Sequence, residues 1–202
     1  MTDFSATPNN SRYVPLTQQP RCCVPTSIQM IMYRKGIPLI PAEELGHHLG
    51  LTVSPEDGEL FYKARVAAKP PSAAGYGTQI FNREYEPNKI FKKLGIPLRF
   101  TLTLADELRD TKDLLYRLKE IEKNDEDALL CFNHGVIRGK FEPFTGHVAV
   151  FDRISKGQIQ LVDASPKQPK WRLVSVELMF EAIKRHGNDS SGGIWLFKTT
   201  PL

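Results

Sequence analysis

Cysteine is scarce in this chain, and the way it is distributed excludes more than its number does. Three cysteines occur among 202 residues, two of them adjacent at Cys22 and Cys23 and the third at Cys131. An odd count with one vicinal pair does not build a disulfide framework, and it lacks the paired spacing of a structural zinc site. Long apolar runs are missing as well. None approaches the roughly 18–20 residues that a membrane-spanning helix requires. Charge of one sign is not concentrated either: the net charge is +4, and the basic clusters Lys89 to Lys93 and Lys167 to Arg172 are short, which argues against a nucleic-acid surface. No glycine-rich phosphate loop is present, because Gly75-Tyr76-Gly77 has neither the lysine nor the following helix that such a loop needs. The first twelve residues are polar and read as a loosely ordered lead-in without the features of a secretory signal. Together these absences lead us to expect a protein of the cytoplasm, with no cofactor, no metal, no membrane and no nucleic acid. Nothing in the sequence sets the oligomeric state.

What is present is ordinary globular material, with 41% hydrophobic and 25% charged residues, enough for a single unit over 1–202 with a filled core. Cys23 to Tyr33 reads as a buried helix, with Pro25 tolerated in its first turn and Gly36 and Pro38 ending it. Pro41 to Leu49 and Glu86 to Leu94 read as short helices, and the leucines around 114–121 as an exposed amphipathic one. Residues 66–79 carry two prolines and two glycines and read as a loop, either a surface excursion or a lid. From Leu98 onward short β-type runs take over: 98–103, 128–133, 147–153, 158–162, 171–174 and 194–198, with 175–185 as the one helical interruption after residue 128. Helices early and strands late imply an α+β fold, with a mainly helical part (1–97) packed on an antiparallel sheet (98–202).

Chemistry concentrates at three places. A thiolate is the reactive form of cysteine, and the positive end of a helix favours its formation. Cys23, at the predicted helix start, is better placed for this than Cys22. His147 follows Gly146 and opens the apolar strand Val148 to Phe151, so its imidazole is expected half exposed at a sheet edge, able to carry a proton to and from a thiol. His134, before Gly135, is its one serious competitor. Asp163 closes the run Gln158 to Val162, sixteen residues after His147, a gap that fits a hairpin and sets a carboxylate beside the imidazole. Gln18 or Gln19, five or four residues before Cys23, supplies a side-chain amide able to donate to an oxyanion, and Gln18 is the preferred one. Each residue alone has an ordinary structural explanation; their order is what carries weight.

The pattern Gln18-Gln-Pro-Arg-Cys-Cys23-Val-Pro25, with Gly146-His147-Val-Ala-Val-Phe and Leu161-Val162-Asp163, resembles the C39-like group of papain-fold cysteine peptidases. The resemblance implies a papain-like fold in which Gln18 donates to the oxyanion, Cys23 is the nucleophile, His147 the base and Asp163 the orienting acid. It departs at Cys22-Cys23-Val24, where the group has Asp-Cys-Gly, and the valine is expected to narrow the acyl pocket. The function implied is a cysteine peptidase-like hydrolase that cleaves a peptide or amide substrate through an acyl-enzyme. An acyltransferase or transamidase using the same site, and an inactive binding or regulatory protein on the same fold, are the alternatives.

Overall fold

The computed structural model describes residues 11–73 and 75–200 of the chain. Most of the expected lead-in lies outside these residues. Its last member, Arg12, is fastened to the sheet, donating its backbone N–H to Asp152 Oδ1 at 2.8 Å and its Nε–H to the Asp152 carbonyl at 2.7 Å.

The chain opens with helix α1 (Cys23–Arg34) and helix α2 (Ala42–His48). Strands β1 (Thr52–Val53) and β2 (Arg65–Val66) form a small parallel pair around the short helix α3 (Pro55–Gly58). Helix α4 (Pro87–Leu94) follows, begun by Glu86, whose carboxylate accepts from the Asn88 and Lys89 N–H groups, and stopped by left-handed Gly95. Then come β3 (Leu98–Leu104), α5 (Thr111–Lys123), β4 (Asp127–Asn133), α6 (His134–Ile137), β5 (Gly146–Ser155), β6 (Gln158–Val162), β7 (Trp171–Val174), α7 (Val176–His186) and β8 (Gly193–Thr199). Six strands make one antiparallel sheet in the order β3-β8-β4-β5-β6-β7. The α+β class with an N-terminal helical layer on an antiparallel sheet is thus what the chain adopts.

Strand alternation divides the core. Leu129, Cys131, Val148 and Val150 face a cluster built with Ile28, Ile31, Met32, Leu45 and Phe91 from α1, α2 and α4. Leu130, Phe132, Ala149 and Phe151 face Leu114, Leu118, Met179 and Ile183 from α5 and α7. The sheet is therefore covered on both faces, which explains why β4 is buried along its whole length. The sequence reading missed this second layer and also helix α6. The run Asn133-His134-Gly135 has turn composition, but the Asn133 side chain caps a helical turn by accepting from the Val136 N–H at 3.1 Å. At the start of β8, Gly193 adopts φ +148°, and a Cβ there would sit 2.0 Å from the Thr103 carbonyl oxygen, so only glycine lets β8 lie against β3. Among the described residues no helix is long and apolar enough to cross a membrane.

The C-terminal end of α1 is fastened to the beginning of β4. Buried Asp127 accepts from Arg34 Nη1 at 2.6 Å and from the Tyr13 hydroxyl at 2.6 Å, and Lys35 Nζ lies 3.1 Å from its other oxygen. Replacing Asp127 by alanine leaves the Tyr13 hydroxyl without its partner and Arg34 and Lys35 with only the exposed Asp125, so we expect Asp127→Ala to lower the free energy of unfolding by about 3 kcal/mol. Urea denaturation of the variant against the parent protein measures this directly.

Candidate active site

The chain reaches α1 through a tight turn. The Gln18 N–H donates to the Ala164 carbonyl at 2.9 Å, and the Cys22 N–H to the Gln19 carbonyl at 3.1 Å. Within that turn Arg21 takes φ +62°, unusual for a residue with a side chain. It is held there by Asp57, 3.0 Å from its Nε, and by the Tyr76 ring, whose centroid lies 5.5 Å from the guanidinium carbon. The result is that the two adjacent cysteines part company. Cys22 is fully buried with Leu51 and Val53, and burial, then the neighbouring charges of Cys23 and Glu43, push its thiol up to about 12. Cys23 is the first residue of α1 and remains partly exposed. Val24, expected to narrow a pocket, is instead packed into the core at 5% exposure.

His147 opens β5, and its Nε2 lies 2.8 Å from Asp163 Oδ1. Contrary to the half-exposed edge position expected from sequence, the imidazole is buried, because Phe132 and His134 stack beside it at 5.7 and 5.0 Å between ring centroids. Burial alone would lower its pKa. The charge and hydrogen bond of Asp163, joined by a hydrogen bond and charge from Cys23, reverse this and raise it to about 10. Asp163 shows the opposite balance: burial would raise it, but His147, the Ser165 N–H and Arg172 hold it far below the usual carboxylate range. Its Oδ1 accepts from the Ser165 N–H at 2.9 Å, and its Oδ2 from Arg172 Nη1 at 2.9 Å. The turn aspartate and the imidazole partner are one and the same residue.

The fold thus brings together Cys23, His147 and Asp163. Gln18 stands on the segment that pairs with Ala164, one residue beyond Asp163, and its Oε1 is buried without a hydrogen-bond partner, whereas Gln19 is exposed. Gln18 and Ser165 line a groove of about 310 Å³ with Arg21, Pro166 and Lys167. In the 66–79 segment, Gly77 pairs with Thr52, Tyr76 lies against Arg21, and Gly75 lies close to the backbone of Phe144. His134, the sequence competitor of His147, lies beside it in a different state. Burial, His147 and Arg172 lower its pKa to about 3, and its Nε2 faces Arg172 Nη1 at 3.2 Å, so it is a neutral acceptor. Sequence reasoning named Arg172 only as the end of a short basic cluster and gave it no part in the site. Its only signal was a cation alternating with Trp171 and Leu173 in a strand, at a position that alternation makes inward.

Two measurements follow from this geometry. Brief iodoacetamide treatment at neutral pH should modify Cys23 and spare Cys22 and Cys131, which are buried and whose thiols are raised by that burial; peptide mass spectrometry reads the site. Folding stability should also depend on pH at both ends. The raised His147 contributes fully below its unfolded value of 6.5, and that contribution is lost as pH climbs toward about 10. The lowered Asp163 contributes above its unfolded value of 3.8 and loses its contribution as pH falls below that. Thermal melts from pH 3 to 10 should therefore peak between about 4 and 6.5, and His147→Ala should flatten the alkaline decline.

No protein-family model matches this sequence, and no curated protein matches it. Comparison of structures does find similar folds. A Bacillus anthracis protein designated a C39-like peptidase superposes with a TM-score of 0.57 at 11% identity, over 94% of this chain and 96% of that one. A double glycine motif protease from an AMS/PCAT transporter, solved in complex with the leader peptide, gives a TM-score of 0.49 at 13% identity over 96% of each chain. The peptidase domain of Streptococcus ComA, a bifunctional ABC transporter of a quorum-sensing pathway, gives 0.49 at 14% identity, over 96% of this chain and all of that one. At such identities what is shared is the architecture, and the fold of this chain is that of the C39-like, papain-related peptidases.

Proposed function

We propose that the chain is a thiol hydrolase of the cytoplasm that cleaves a peptide or amide bond. The reading is supported by one observation: a buried imidazole is held on Nε2 by Asp163, and Cys23 is among the groups that raise its pKa. Because Asp163 is held ionised, Nε2 carries a proton toward it, and this leaves Nδ1 as the nitrogen for the thiol. His147, its pKa raised to about 10, holds on Nδ1 the proton that Cys23 has given up, and the sulfur attacks the carbonyl carbon. The oxyanion is received by the Cys23 N–H, which has no carbonyl partner within α1, and by the Gln18 amide. His147 then returns the proton to the departing amine, leaving an acyl group on sulfur. Water, deprotonated by the same nitrogen, releases the acid and restores the thiol.

An amine in place of water would turn the second half into acyl transfer without altering the first, and no feature of the site favours that over hydrolysis. The three free thiols fit a reducing compartment.

The test is peptide-library cleavage followed by mass spectrometry, with added amines present in a second arm. Cys23→Ala should abolish turnover. Gln18→Ala should leave KM nearly unchanged and lower kcat by a factor on the order of 10²–10³, the cost of losing one oxyanion donor. A folded wild-type protein that cleaves nothing, with a Cys23 no more reactive than a free thiol, would remove the hydrolase reading. Adducts with added amines would move it to acyl transfer.

A further inference from the structure

Arg172 is the buried charge for which the reaction has no direct use. It sits on β7 with 2% of its side chain exposed, opposite Leu161 of β6, and sends Nη1 to two partners: Asp163 Oδ2 at 2.9 Å and His134 Nε2 at 3.2 Å. Its Nε finds no partner among the described residues. As a device for stability this is poor, since a buried ion pair with an unmet donor gains little over apolar residues of the same volume. As a device for geometry it is well built. Asp163 is fully buried, and its two oxygens are separately occupied, Oδ1 by His147 and the Ser165 N–H, Oδ2 by Arg172. A carboxylate held at both oxygens cannot rotate about its last bond, so the oxygen offered to His147 stays where it is.

We propose that Arg172 is the positioning residue of this site, locking Asp163 in register with His147, and that His134 serves as the neutral acceptor that keeps the guanidinium in place. The proposal deepens the hydrolase reading, since positioning matters only if His147 acts on Cys23. His134 suits the role because its ring is kept uncharged by burial and by the cations His147 and Arg172. A protonated His134 would have no lone pair to offer. Among the described residues, His147 is faced by Asp163 after β6, Cys23 on α1, His134 on α6 and the uncharged Phe132 ring on β4, while Arg172 and Lys170 bear on Asp163.

The titration of the His147 ring, followed by nitrogen-15 NMR of histidine-labelled protein, separates positioning from mere charge. If Arg172 acted only as a fixed cation, its removal would strengthen the hold of Asp163 on the imidazolium, and the His147 midpoint would rise. If it positions Asp163, then in Arg172→Met the carboxylate turns away or takes up a proton, and the midpoint falls by a unit or more from its alkaline value. The alkylation rate of Cys23 at pH 7 should fall with it by roughly 10-fold or more, the scale seen when the outer partner of a metal-binding histidine is removed. Arg172→Lys, which keeps the charge but not the planar fork, should restore part of the rate. Should Arg172→Met not fold by near-UV circular dichroism, His134→Leu carries the test, with a smaller shift of the same sign. A His147 midpoint unchanged or raised in a folded variant overturns the proposal. A wild-type protein that shows the expected titrations yet cleaves no peptide would instead count against the hydrolase reading and leave Arg172 in its role.

Discussion

The length of α1 is the constraint on which the site depends. Its twelve residues make a rod of roughly 18 Å. The seven residues of β4 span about 20 Å from first to last. One end of the rod, Arg34, is fastened at the first residue of β4 through buried Asp127; the other end, Cys23, arrives where β4 ends and β5 begins, since Phe132 pairs with His147. The apolar flank of the helix, Ile28, Ile31 and Met32, is fully buried against the sheet and prevents it from rolling. With its far end clamped and its side fixed, the helix start has little freedom left. That is how a sulfur and an imidazole 124 positions apart in sequence are held together without a covalent link.

At the working end, charges alternate through a dry interior. His147 stands between Cys23 and Asp163, Asp163 between His147 and Arg172, and Arg172 between Asp163 and a neutral imidazole. Each is on or just past a different element: α1, β5, the end of β6, β7 and α6. Consecutive antiparallel pairing from β4 to β7 places the last four in one neighbourhood. Burial raises the stakes of every contact, since an ion stripped of water depends on its partners for all its stabilisation. The alternation is what makes such a row tolerable.

Much of this could be read from residue order, and the failures have a common cause. The bounds of β6 and β7, the start of α1 at Cys23 and the stop at Gly95 follow from periodicity, capping and turn chemistry, all local properties. Order and spacing also singled out Cys23, His147 and Asp163, which the fold brings together. What sequence did not reveal is non-local. Burial of His147 comes from Phe132 and His134 on the neighbouring strand and helix, and the far helical layer from the side of the sheet to which α5 and α7 return. Arg172 looked like one of several cations near a turn, because nothing in a four-residue strand tells that its inward side meets a carboxylate from the next one.

The two adjacent thiols make the same point at the smallest scale. By composition Cys22 and Cys23 are equivalent, and both stand at the positive end of α1. Their fates diverge because Arg21, in a left-handed conformation, swings the chain so that Cys22 caps the helix from inside and Cys23 enters it. Successive residues at a helix start point about 100° apart, so one direction is spent on Leu51 and Val53 and the other opens toward His147. Arg21 is kept in that conformation by Asp57 and Tyr76, which belong to α3 and the 66–79 segment. The small β1–β2 unit, which stands apart from the six-stranded sheet, is therefore part of what decides which sulfur faces the imidazole.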